Sequence, residues 1–127
     1  MVAWNDYKAA AEERGSLAFE VFVVVSTPTG QVHLPDVLPD HLAYIGSLEK
    51  SGKLMMAGPM SDDTGEEMQG QGMLVLRAAS LEEAKALADG DPMHSSGARN
   101  YEMKKWMINE GSLSVSVGLS TGGVQLT

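Results

Sequence analysis

Cysteine is absent from the 127 residues. That excludes disulfides, thiolate metal sites and a cysteine nucleophile. It agrees with a reducing compartment, and the expected location is cytoplasmic. Basic residues are scarce: nine Lys and Arg against 17 Asp and Glu leave a formal net charge of -8. This balance repels phosphate backbones and anionic lipid, so neither nucleic acid nor a membrane is an expected partner. Long apolar runs are also missing. The longest, Val21 to Val25, is far too short to span a bilayer. Met1 to Arg14 contains Asp6, Glu12 and Glu13 and lacks the apolar stretch of a signal peptide. No P-loop occurs, and Gly70-x-Gly72 precedes a strand pattern rather than opening a helix after one.

What is present fits one domain spanning residues 1–127. Asn5 to Arg14 reads as a helix that Asn5 or Asp6 could cap and Gly15 closes. Phe19 to Ser26 reads as a strand with apolar residues on both faces, hence covered on both sides. After a Pro- and Gly-marked loop, Asp36 to Ser51 reads as the main helix. Asp36 is its cap, Pro39 stands in its first turn, and Leu38, Leu42, Ile45 and Leu48 form its stripe. A strand over Lys53 to Ala57 ends at Gly58-Pro59, and a polar loop over Ser61 to Gly70 leads to a strand over Gly72 to Arg77. Ser80 and Glu83 make a capping box for a helix over Ser80 to Asp89. Asp91-Pro92 opens a short turn or helical segment, and Arg99 to Ile108 is the fourth strand. Ser112 to Leu119 alternates like a half-solvated edge strand.

The middle of this order, β-α-β-β-α-β, is that of a ferredoxin-like α+β fold. The domain core is expected over roughly 17–110, with the helix at 5–14 and the strand at 112–119 as extensions. Helices cover only one face of such a sheet, so a second copy stacked on the open face would make a homodimer.

Few residues can carry chemistry. His41 falls inside the apolar stripe of the main helix, where an imidazole is either hydrogen-bonded in the core or facing a pocket. Imidazole is the side chain that titrates nearest neutrality and can both take and give a proton. Asp91 before Pro92 has the grammar of a helix cap, and a capping carboxylate can still offer an oxygen to an imidazole. His94 follows three residues later: it is either an exposed residue at a helix end or, with His41 and Asp91, part of a metal set. Gly58, Pro59 and Ser61 either offer N–H and hydroxyl groups to a substrate oxygen or simply make a turn. The many methionines read as core filler, Trp106 as a core or interface anchor, and Asp62, Asp63, Glu66 and Glu67 as a solvated loop.

His41-Leu42-x-Tyr44, Gly52-Lys53-Leu54, Ala57-Gly58-Pro59, the strand from Gly72 into Ser80-Leu81-Glu82-Glu83-Ala84, and Asp91-Pro92-Met93 followed by the strand near Trp106 together resemble the YCII-related family. The resemblance implies a dimeric α+β barrel of two ferredoxin-like units, with His41 and Asp91 paired in a cleft. Some members of that family are linked to removing chloride from chlorinated hydroquinones, and its fold is similar to that of muconolactone isomerases and cofactor-free monooxygenases. The implied function is a cofactor-independent acid/base enzyme acting on a small cyclic or aromatic substrate, by isomerisation, elimination or dehydrochlorination. Its catalytic residues would be His41 and Asp91 and its substrate-binding residues Gly58, Pro59, Ser61 and His94, with no metal. The rival readings are a non-catalytic dimeric module that binds a small molecule or a protein, and a cofactor-free monooxygenase.

Overall fold

The computed structural model describes residues 1–127. In chain order the elements are α1 (Trp4–Glu13), β1 (Phe19–Pro28), α2 (Leu34–Lys50), β2 (Leu54–Ser61), β3 (Met68–Leu76), α3 (Leu81–Asp89), α4 (Pro92–Ser95), β4 (Arg99–Ile108), β5 (Val115–Val117) and β6 (Val124–Leu126). Phe19–Met107 forms one compact unit; Met1–Ala18 and Ile108–Thr127 form another. No helix is long and apolar enough to cross a membrane.

The larger unit is an α+β fold built on a four-stranded sheet of order β2-β3-β1-β4. β3 runs antiparallel to both β1 and β2. With the βαββαβ element order, this is the ferredoxin-like topology that the pattern predicts. Side chains alternate across a strand, so Phe22 and Val24 of β1, with their β3 partners Leu76 and Leu74, share one face. On that face Phe22, Val24 and Leu76 join Leu54 of β2, Leu48 of α2, and Ala84 and Ala88 of α3 in the core. Tyr101 and Met103 of β4 pack against the same cluster. The opposite face carries Val23, Val25, Met73 and Val75, apolar as expected for a strand with hydrophobic residues on both sides.

The helix ends follow local rules, with corrections. Ser80 caps α3 by accepting the Glu83 N–H at 3.1 Å, while the Glu83 carboxylate accepts the N–H of Ala79, one residue before the cap. Gly52, at φ 77°, terminates α2, and the Lys53 N–H closes onto Leu48 O at 2.9 Å. α2 starts at Leu34 rather than Asp36, with His33 at the N-cap and no side-chain cap bond. Pro35 fits the first turn, where an N–H is not needed. This leaves Pro39 inside the helix rather than at its start. Neither Asn5 nor Asp6 caps α1; its N-cap is Ala3.

Gly90 ends α3, but not for its own conformational freedom, since its φ is -73°. A Cβ there would stand 2.5 Å from the Tyr44 hydroxyl oxygen. That hydroxyl donates to Leu87 O at 2.6 Å and ties α2 to α3.

Two strand expectations need correction. β2 does not stop at Ala57. It continues through Gly58 and Pro59, paired with Met73 and Gly72, to Ser61 opposite Met68, with irregularities on the way. An edge strand tolerates proline, and β2 is at the edge. The polar loop is correspondingly shorter than Ser61 to Gly70. The expected edge strand over 112–119 is only Val115–Val117, and it pairs with Val124–Leu126 in a separate two-stranded sheet. The turn at Gly118 to Gly123 supplies this local partner.

Candidate functional site

The apolar stripe of α2 divides in two. Leu48 is buried in the core and Ile45 packs against it. Leu38 and Leu42, nearer the N-terminus, remain exposed at 43% and 58%. Both border a cleft of about 390 Å³, within the size range of small-molecule sites. The cleft runs between α2, the middle of the β2–β3 hairpin and the start of β4. His41, Ala57, Gly58, Pro59, Gly70, Gly72, Met93 and Arg99 are among the residues that line it. Continuation of β2 through Gly58-Pro59 puts these two residues in the wall of the cleft, as a strand rather than a turn.

His41 and Asp91, 50 residues apart, meet at this cleft. The His41 Nδ1–H donates to both carboxylate oxygens of Asp91, at 2.8 and 2.9 Å. Asp91 is 2% exposed, whereas the His41 side chain is 23% exposed. Asp91 also caps α4, its Oδ1 accepting the Met93 N–H at 2.9 Å. The cap and the imidazole therefore share one carboxylate. Burial pushes the Asp91 carboxyl up. The bonds from His41 and from the Met93 N–H, and the charges of His41 and His94 when protonated, outweigh this and hold it below the usual carboxylate range. Asp91 therefore stays an anion, and because it takes Nδ1–H, Nε2 is the His41 nitrogen left for proton transfer.

The other expected site residues are placed differently. His94 does not line the cleft. Its Nδ1 donates to Ala88 O at 2.7 Å; a carbonyl only accepts, so in the neutral ring Nε2 accepts from the Ser26 hydroxyl at 2.8 Å. The ring also packs against Tyr101 at a centroid distance of 4.7 Å, tilted by 50°. With both nitrogens engaged in the packing of α4, His94 has none left for a substrate, and no group of three metal-ligating side chains forms. Ser61 also lies outside the cleft, its hydroxyl donating to Asp62 O at 2.9 Å. In the loop beyond, Asp62 organises a turn by accepting both the N–H and the hydroxyl of Thr64.

Sequence reasoning missed Arg99. It begins β4 and enters the cleft, its guanidinium donating to Ser26 O at 3.1 Å and Gly70 O at 2.5 Å. Burial lowers its pKa and nearby Asp91 opposes that shift, but a guanidinium stays charged. Nothing local marks a single arginine at a strand start. Its position follows from the strand pairing that brings Ser26 and Gly70 beside it.

The family model of the YCII-related domain matches residues 20–107. The uncharacterized protein YjpA of Bacillus subtilis (strain 168) is 34% identical over 70 residues, 55% of this chain and 75% of that protein. Among solved structures, 5-chloro-2-hydroxyhydroquinone dehydrochlorinase from Burkholderia phenoliruptrix AC1100, in complex with 2,5-dihydroxybenzoquinone, is similar at 18% identity and a TM-score of 0.49. The similarity covers 67% of this chain and 92% of that one.

Proposed function

The chain belongs to the YCII-related family, and from that premise we propose that it is an acid/base enzyme acting on a small cyclic or aromatic compound without a cofactor. The observation that carries the reading is the double hydrogen bond from His41 Nδ1–H to the buried Asp91 carboxylate at the wall of a cleft. In the proposed cycle, His41 Nε2 takes a proton from the substrate. Asp91 holds the ring's orientation and stabilises the imidazolium that forms. His41 then returns the proton to another substrate atom in an isomerisation, or to the leaving group in an elimination. Leu38, Leu42 and Met93 offer apolar contact to a ring, and Gly58 and Pro59 form the opposing wall.

The same reading takes residues 1–127 as one YCII-like domain, with a core of about 17–110 and the segments 5–14 and 112–119 as extensions. It also includes a homodimer. The apolar sheet face with Val23, Val25 and Met73 half-buried, and Trp106 44% exposed, supports a second copy as its cover. Sedimentation at micromolar concentration tests this part: a dimer is expected, and a species of only 13.5 kDa would contradict it.

A second reading, a non-catalytic binding module, draws on Asp91 as the cap of α4, since the pair would then only join α2 to α4. One comparison separates the two. Cyclic and aromatic compounds are screened for conversion by the purified protein, and His41→Gln and Asp91→Asn are assayed on any compound it converts. The enzyme reading expects both variants to lose turnover while staying folded. Unchanged turnover in both would end it.

A further inference from the structure

Arg99 is a half-buried cation without a carboxylate partner. Its two hydrogen bonds go to backbone carbonyls, and none of the ion pairs His41–Asp91, Lys53–Glu83 and Lys105–Glu20 involves it. Asp91 favours the Arg99 charge from nearby but does not contact it directly, its oxygens accepting from His41 and from Met93. In a chain with 17 acidic and nine basic residues, a cleft cation with no carboxylate in direct contact is unusual, and partial burial of a charge without a direct partner is costly. The guanidinium carries five N–H donors, of which two are used, so three remain. No other lysine or arginine borders the cleft.

We propose that Arg99 is the specificity-determining residue of the cleft, binding an oxyanion carried on a small ring, a carboxylate or a phenolate, while the apolar part of the ring lies against Leu38, Leu42 and Met93. This rests on the reading of the cleft as the substrate site, and it narrows the substrate class to anionic ring compounds. Guanidinium suits the task because its planar donors can hold a carboxylate at two points and its charge does not titrate away. The ligand supplies the direct ion-pair partner that Arg99 lacks, and the reacting atom is held in the cleft that His41 borders.

Equilibrium binding tests the proposal without a known substrate. Benzoate is compared with its neutral isostere benzamide, and 4-nitrophenolate with 4-nitroanisole, by calorimetry on the full chain. At least one anion should bind about tenfold or more tighter than its neutral partner, and which one does so identifies the source of the oxyanion. Arg99→Gln should erase that preference and Arg99→Lys should keep part of it. Equal binding of anion and neutral partner by the unmodified protein, or no detectable anion binding, overturns the proposal, as does a preference that survives Arg99→Gln. The unmodified protein alone already decides the first comparison, whatever the stability of the variants. His41→Gln should retain the preference. Loss of the acid/base reading would instead appear as retained turnover in His41→Gln, so the two failures are distinguishable.

Discussion

Replacing Asp91 separates its structural role from its chemical one. Asp91→Ala removes the cap on α4 and the acceptor of the His41 Nδ1–H together. The Met93 N–H at 2.9 Å is buried, and leaving it unpaired costs about 1–3 kcal/mol. Loss of the His41 bond adds about 1 kcal/mol, less than the full value for a charged acceptor, because an imidazole that is 23% exposed can rehydrate from the cleft. A total of about 3 kcal/mol corresponds to a fall in Tm on the order of 10 °C for a chain this size. Asp91→Asn keeps an oxygen for the Met93 N–H and caps nearly as well, so its loss should be only about 1 kcal/mol. It lacks the charge that stabilises an imidazolium, so turnover should fall at least about 100-fold. Acidification gives an independent check. The folded carboxyl lies below its usual range, so its contribution is present above the unfolded value, about pH 4, and is lost as pH falls through the folded value. The stability gap between the unmodified protein and Asp91→Asn should therefore narrow below about pH 4. Urea titrations at several pH values, with turnover measured beside them, read all three effects. Equal stability losses in Ala and Asn, or full activity in Asn, would refute the reasoning.

His41→Ala should cost only about 1–2 kcal/mol, because water from the cleft can replace the imidazole at Asp91, and it should abolish turnover; a loss above about 3 kcal/mol in thermal melts would favour a purely structural pair. Gly90→Ala places a Cβ 2.5 Å from the Tyr44 hydroxyl oxygen and 3.1 Å from the ring carbon that bears it. It should cost about 1–3 kcal/mol in a urea titration, and Tyr44→Phe in the same chain should relieve part of that loss, whereas an unperturbed midpoint would contradict the close packing of α2 on α3.

The parts of the fold governed by local rules were legible in the sequence. The capping box at Ser80, the stop at Gly52 and the βαββαβ order each depend on neighbours within a few residues. Features set by tertiary position were not. Gly58-Pro59 reads as a break until the sheet order makes β2 an edge, where proline is tolerated. The start of α2 reads two residues late because Asp36 is a better cap by type than His33, yet Pro35 fits the first turn. The strand after Gly111 reads as an edge of the main sheet because alternation does not name a partner. His41 could be singled out because a polar ring interrupts an apolar stripe. Its contact with Asp91 had no local signal, and only the ordered family motifs suggested it. Arg99 had neither: its charge becomes informative only once folding leaves it in a cleft without a direct ion-pair partner.

The most direct test of the central claim is the protonation of the His41 ring, read from nitrogen-15 chemical shifts and long-range proton couplings. Three histidines are present, and His41→Gln assigns the signal. If Asp91 holds the ring for catalysis, the neutral imidazole carries its proton on Nδ1 and leaves Nε2 bare, and Asp91→Ala releases that preference. A neutral ring protonated on Nε2 with Nδ1 bare, or one indifferent to Asp91→Ala, would contradict the account.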